Sequence, residues 1–165
     1  MNLKYKKATQ SDTEVIAKLA DSIWKKHYIS IITPEQINYM LDKMYSAASL
    51  AKQMEEGQEF TIVYLNELPI GYISISTKDG KNYFLHKFYV EVQEQAKGIG
   101  TTLLNTILKT LENAETIELT VNRQNYKAIN FYFKNGFVIK EVADFDIGNN
   151  FFMNDFVMIK KIKSA

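Results

Sequence analysis

The stretch Tyr89-Val90-Glu91-Val92-Gln93-Glu94-Gln95-Ala96-Lys97-Gly98-Ile99-Gly100-Thr101-Thr102-Leu103-Leu104 leaves this chain few ways to fold. Upstream, Phe84 to Val92 is rich in aromatic and β-branched residues and reads as a strand. Downstream, Leu104, Ile107, Leu108 and Leu111 form a single apolar helical stripe. Between them, Gly98 and Gly100 allow backbone N–H groups to face an outside ligand with no Cβ in the way. The first N–H groups of the following helix lack internal partners, and the helix dipole adds partial positive charge there. A strand, a glycine turn and a helix N-terminus in that order make an anion site suited to a phosphate or pyrophosphate.

Two common phosphate loops do not fit. A P-loop requires Gly-Lys-Ser/Thr, and Gly100 is followed by Thr101-Thr102 with no lysine. A dinucleotide-binding fingerprint requires a third small residue where Leu103 stands. What remains is Gln95-x-x-Gly98-x-Gly100 between strand and helix, which resembles the coenzyme A signature of the GNAT superfamily of N-acetyltransferases. A second block, Leu119-x-Val121-Asn122-x-x-Asn125-x-x-Ala128-Ile129-x-Phe131-Tyr132-x-x-x-Gly136-Phe137, is similar to the other hallmark of that superfamily. The two blocks follow the family's order and spacing, each in the expected structural context. The plainer alternative is an ordinary β-turn-α unit followed by a helix ending at a glycine cap.

With 165 residues the chain is expected to form one domain, spanning 1–165, with a substantial core. Its net charge of +1 is spread over interspersed signs, and Arg123 is the only arginine, so neither a nucleic-acid stripe nor a polybasic membrane patch is expected. There is no cysteine, which rules out disulfides, thiolate catalysis and cysteine metal ligands and suits a reducing cytoplasm. The N-terminus lacks a signal-peptide apolar region, and no run approaches transmembrane length.

Along the chain, Leu3–Ala8 reads as a strand, and Ser11-Asp12-Thr13-Glu14 as a capping box before a helix with buried Ile16, Leu19, Ala20 and Ile23. The aromatic-rich 24–32 stretch reads as a loop or frayed helix end. Thr33-Pro34-Glu35-Gln36 starts a second helix with Ile37, Met40, Leu41 and Met44 on its apolar face, and a short third segment ends at Gly57. Phe60–Leu65 and Ile70–Thr77 are strands about an Asn66-Glu67-Leu68-Pro69 turn, and residues 78–82 turn into the central strand. Glu115–Val121 is a strand, and Asn125–Asn135 a helix capped by Gly136. Phe137–Asp146 and Phe151–Lys161 are closing strands, the latter a possible exposed edge for a homodimer. This order matches the GNAT fold end to end: an α/β (α+β) class, with a mixed, mostly antiparallel twisted sheet of about seven strands flanked by helices.

The resemblance implies where acetyl-CoA binds and which groups act. Backbone N–H groups of Gln95, Ala96, Lys97, Gly98, Ile99, Gly100 and Thr101 would cradle the pyrophosphate, and Phe88, Tyr89 and Val90 would hold the pantetheine arm. A bulge in the family commonly splays this strand from the next. Asn125 and Tyr132, two turns apart on one helix face, would both meet the coenzyme, Tyr132 beside the sulfur. A phenol of pKa about 10 is a suitable proton donor to a departing thiolate of about 8.5; a core aromatic is the alternative. The attacking amine must lose a proton. His86 is the first choice as base, since an imidazole of pKa near ~6.5 is mostly neutral at pH 7, and Glu91 is the second. A packed strand histidine and a solvated carboxylate are the respective alternatives, and His27 reads as a surface residue.

Within the superfamily the chain looks most like bacterial PaiA-type polyamine acetyltransferases, through Thr33-Pro34-Glu35-Gln36-Ile37-x-Tyr39-Met40, Ile70-Gly71-Tyr72, and Asp144-x-Asp146-x-Gly148 followed by Asp155. It departs from them at His86, where an acidic residue is expected, and at Asp144-Phe145-Asp146, where His-x-Phe is expected. The resemblance implies a small amine or polyamine substrate. Glu91, Asp144, Asp146 and Asp155 would supply negative charge, and Trp24, Tyr28 and Tyr45 an apolar mouth. With no cysteine to carry an acyl group, direct transfer in a ternary complex is the economical mechanism. A protein or peptide N-acetyltransferase and a non-catalytic acetyl-CoA sensor remain open. No metal, nucleic acid or membrane partner is expected; the chain would be a monomer or homodimer.

Overall fold

Strands form where apolar side chains recur at every second residue. β5 (Thr116–Asn122) shows this directly: Ile117, Leu119 and Val121 are buried and the residues between them half-buried. The structure, a computed structural model, describes residues 2–95 and 98–162, with only the backbone of Val92 and Gln95. These residues group into two compact units, 1–76 with 87–102, and 77–86 with 103–165.

The first unit carries β1 (Leu3–Lys7), β2 (Glu59–Leu65), β3 (Leu68–Thr77, to Ser76) and the end of β4 (Asn82–Val90). β2 runs antiparallel to both β1 and β3. In β3, Ile70 to Ser74 are all buried without alternation, as in a strand covered on both faces. Helices α1 (Thr13–His27), α2 (Pro34–Tyr45) and α3 (Ala47–Glu55) pack on one another. Ile16, Ile23, Ile37, Leu50, Phe60, Ile62 and Ile73 are almost wholly buried. Each contributes about 1.5–3 kcal/mol relative to an exposed position. Thr33 caps α2, accepting from the Gln36 N–H at 3.2 Å, with Pro34 at the first helical position. The unit ends in α4 (Val92–Gln95) and the start of α5 (Ile99–Thr110).

The second unit holds the start of β4, the rest of α5, β5, α6 (Tyr126–Lys134), β6 (Val138–Gly148) and β7 (Phe151–Lys161). β4 runs parallel to β5 from Asn82↔Thr116 to Leu85↔Leu119, and β7 is antiparallel to both β5 and β6. Leu103, Leu104, Ile117, Leu119, Phe137 and Met158 form its core. Because β4 belongs to both units, the hydrogen-bonded order is β1-β2-β3-β4-β5-β7-β6, a seven-stranded mixed sheet. No helix among the described residues is long and apolar enough to cross a membrane.

Several boundaries differ from the sequence reading, each for a local reason. The capping box is not Ser11 to Glu14 but Thr9 to Asp12, and it is the Asp12 carboxylate that closes it. That carboxylate accepts from the Thr9 N–H at 2.9 Å and from Lys6 Nζ at 2.7 Å, closing a 3-10 turn over Gln10–Asp12 from which α1 starts at Thr13. Residues 24–27 are not loop: they complete α1, because Trp24 continues the buried stripe of Ile16, Leu19, Ala20 and Ile23. The first hairpin turn is only Asn66-Glu67, both at positive φ, so Leu68 and Pro69 already belong to β3. β4 stops at Val90 rather than Val92, because the Glu94 N–H bonds the Glu91 carbonyl at 2.9 Å and starts α4. Gly100 lies inside α5 rather than in the turn. Phe151–Lys161 is an interior strand, paired on both sides; β6 is the last strand of the order.

Candidate active site

The end of β4 is shaped by how closely β3 approaches it. A Cβ on Gly71 would stand 2.4 Å from the Tyr89 carbonyl oxygen and 3.2 Å from the Val90 Cα, so only glycine fits there. One step further, the Glu91 N–H donates to the Ile70 carbonyl at 2.8 Å. Phe88 and Tyr89 are half-buried and Val90 is buried, which leaves their backbone at the rim of the strand end. The β4–β5 ladder ends at Leu85↔Leu119, although β4 continues to Val90 and β5 to Asn122.

After α4 the chain reaches Gly98, whose φ of +73° is the left-handed region that favours glycine. Among the described residues, and its chain neighbours apart, nothing lies within 4 Å of where its Cβ would stand, which leaves room for a ligand against the backbone. Ile99 is buried and pins the first turn of α5, while Gly98 and Thr101 are exposed and Gly100 is half-buried. The Thr102 N–H turns back to the Gly98 carbonyl at 3.4 Å. The amides of Ile99, Gly100 and Thr101 are the first of a twelve-residue helix, without an intrahelical acceptor. An open glycine beside helical N–H groups that have no intrahelical acceptor fits a phosphate group. The Gln95 side chain, Ala96 and Lys97, expected in the same cradle, lie outside the described residues.

The same unit, which also holds Glu91, gathers a cluster of aromatic side chains. Trp24 packs on Tyr28, Tyr45 and Tyr89, with ring centroids 4.5, 5.7 and 5.7 Å away, and Tyr72 lies 5.4 Å from Tyr89. The Tyr28 and Tyr89 hydroxyls share a hydrogen bond of 3.2 Å, and the Tyr72 hydroxyl donates to that of Tyr45 at 2.9 Å. Burial pushes the Tyr45 and Tyr72 phenols well above their ordinary value. The Trp24 indole N–H is buried without a well-aligned acceptor, though it lies close enough to those two hydroxyls to interact with them. Trp24 and Tyr45 are 2% and 3% exposed, so they form the wall behind Tyr28 and Tyr89 rather than an open mouth. The Glu91 side chain is 14% exposed, with Lys26 Nζ 3.5 Å from its Oε2.

Lys87 was not singled out as a site residue. Its ammonium is 4% exposed, donates to Gln53 Oε1 at 2.6 Å and Gln58 Oε1 at 3.3 Å, and sits over the Tyr45 and Phe60 rings. Desolvation lowers its pKa from 10.5 to about 8. The pleat was the available signal, since Lys87 shares a strand face with Leu85 and Tyr89.

In the second unit, Asn125 is the N-cap of α6 rather than a residue of its first turn, its Oδ1 accepting from the Ala128 N–H at 3.3 Å. Tyr132 is 8% exposed and held edge-on by Phe131 and Phe137, both at 5.3 Å. His86 is half-buried and packs on Phe84 at 4.8 Å. Asp144 pairs with Arg123 Nη2 at 2.8 Å, and Arg123 Nη1 donates to the Asp155 carbonyl at 3.2 Å. Burial raises the Asp155 carboxyl to about 6, against the opposing pull of a Thr120 hydrogen bond and the Arg123 charge. Asp146 stands apart, exposed at the β6–β7 turn, where it accepts from the Gly148 N–H at 2.9 Å.

Comparison with known proteins matches this chain to the GNAT acetyltransferase domain over residues 29–151, about three quarters of its length. The chain belongs to the GNAT acetyltransferase family. It is an acetyl-CoA-dependent N-acetyltransferase, with acetyl-CoA as cosubstrate. Spermidine N(1)-acetyltransferase of Thermoplasma acidophilum is 28% identical over 171 residues, covering 99% of this chain and all of that protein. A crystal structure of the PaiA N-acetyltransferase from Thermoplasma acidophilum in complex with coenzyme A is 27% identical, with a TM-score of 0.80 over 98% of this chain and 100% of that one. A GCN5-related N-acetyltransferase from Rhodopseudomonas palustris, 20% identical, shares the fold with a TM-score of 0.81 over 98% of this chain and 97% of its own.

Proposed function

We propose that this GNAT acetyltransferase transfers the acetyl group to a primary amine of a polyamine, directly and without an acyl-enzyme. The observation that carries the reading is Glu91, a carboxylate only 14% exposed at the end of β4, in the unit that also lines up Tyr28, Tyr89 and Trp24. A desolvated carboxylate suits an organic cation, and aromatic faces in the same unit can pack against one. The whole-length similarity to a spermidine N(1)-acetyltransferase supports the same substrate class.

Acetyl-CoA supplies an acetyl group activated as a thioester. The backbone about Gly98 and the first turn of α5 hold its pyrophosphate, to which the sequence motif adds Gln95, Ala96 and Lys97, and the β4 backbone at Phe88–Val90 holds its pantetheine arm. Asn125 steadies the coenzyme from the α6 cap. Having the amine neutral at pH 7 costs roughly 4–5 kcal/mol for a group of pKa near 10.4. His86, whose imidazole is a mild base, receives that proton directly or through water. The C–N bond then forms and the C–S bond breaks. Tyr132 protonates the departing sulfur, and the second proton of the ammonium restores its phenol. Asp155 and Asp144 add negative potential for the cation, while Asp146 contributes only at long range.

The test is thiol release from acetyl-CoA with spermidine, spermine, small diamines, a monoamine and N-terminal peptides side by side. Polyamine-dependent release is expected, with kcat reduced about 100-fold or more in Tyr132→Phe. Release with peptides alone would replace the substrate class. Acetyl-CoA binding with no acceptor turned over would make the protein a sensor.

A further inference from the structure

We propose that Lys26 occupies the ammonium subsite of this enzyme in the absence of substrate, and that a polyamine binds Glu91 by displacing it. The inference rests on the polyamine reading and adds to it a residue that governs amine affinity. Glu91 has its backbone fixed by the 2.8 Å bond to the Ile70 carbonyl, and its side chain is only 14% exposed. Its Oε2 is buried and accepts no hydrogen bond from the described residues. Such an oxygen is costly to keep dry without a cation against it. Lys26 supplies the charge but not the bond: its Nζ stands 3.5 Å away, beyond the roughly 2.7–2.9 Å of an ammonium–carboxylate hydrogen bond.

Lys26 is built to leave. It lies in the last turn of α1 on a flexible stem, its side chain 51% exposed, whereas neighbouring Lys25 pairs with Asp21 of its own helix at 2.7 Å. Tyr28, two residues after Lys26, hydrogen-bonds Tyr89, two residues before Glu91. The two pairs therefore join the same two stretches of chain, the C-terminal end of α1 and the end of β4, and the aromatic one stays in place when the ionic one opens. The chemistry of the occupant matches that of the ligand. A lysine side chain is a four-carbon chain ending in a primary ammonium, the same group as the aminobutyl arm of a polyamine. A polyamine also carries a cation that does not react, and Glu91 would hold that one while the acetylated nitrogen is neutral.

Lys26→Met tests this in steady-state kinetics of the full chain. The KM for spermidine is expected to fall at least threefold, with that for acetyl-CoA unchanged. Lys26→Arg, whose planar fork fits a carboxylate better, should raise the spermidine KM. Glu91→Gln should raise it at least tenfold and abolish the effect of Lys26→Met in the double variant. Lys25→Met should change nothing. A spermidine KM unchanged or raised in Lys26→Met would overturn the proposal and leave the contact as an ion pair of α1. Absence of spermidine turnover in the unaltered enzyme would instead overturn the polyamine reading. Calorimetric titration with spermidine then still decides the subsite: tighter binding in Lys26→Met supports it, unchanged binding refutes it.

Discussion

Lys87 shows how one buried charge couples this fold to pH. Its ammonium is held by two amide oxygens and two aromatic faces, with desolvation the cause of its lowered pKa of about 8. Between about 8 and 10.5 the native protein has released this proton while the unfolded chain still binds it, so stability rises with pH across that window. Below it both states are protonated and the full penalty stands. Denaturant melts of the wild type and Lys87→Met should therefore diverge in the wild type's favour by about 3 kcal/mol between pH 7.5 and 10.5. A flat difference would mean that Lys87 stays charged or hydrated in the native state. At the same scale Asn125 is legible as a residue but not as a cap: the second hallmark block marks it, whereas the 3.3 Å bond to the Ala128 N–H needs the helix to exist.

Among the elements, the β3–β4 contact decides how the end of β4 is presented. Gly71 sits where any side chain would run into the Tyr89 carbonyl, and backbone on the facing strand cannot step aside cheaply. Gly71→Ala should lower stability by about 1–3 kcal/mol and raise the KM for acetyl-CoA, because the displaced residues, Tyr89 and Val90, are those assigned to the pantetheine arm. Chemical denaturation and acetyl-CoA kinetics on the same preparation check both halves; an unchanged KM would remove the Tyr89–Val90 backbone from the coenzyme site. Helix stripes and strand alternation were readable beforehand, since they repeat within one element. The start of α1 was not, because Asp12 is recruited by Thr9 and Lys6 from outside the helix.

For the whole molecule, the expected consequence of a phosphate held at the Gly98 turn and the first turn of α5 is ligand-linked stability. At acetyl-CoA concentrations near 100 times Kd the native state gains about 2.7 kcal/mol. For a chain of this size that raises Tm by roughly 5–10 °C. Desulfo-coenzyme A, which keeps the pyrophosphate, should reproduce most of the shift; no shift with either would remove the Gly98 turn as a phosphate site.

The sequence by itself determined the family and most of the order of elements, because these rest on spacing within short segments: the two motif blocks and the apolar periods of the helices and strands. Tertiary structure decided the rest. It made Trp24 and Tyr45 a buried wall, made Lys87 a desolvated amine, set β7 inside the sheet, bound Asp144 to Arg123, and seated Lys26 on Glu91. Burial and charge pairing join residues tens of positions apart, and those distances are set only when the strands and helices pack.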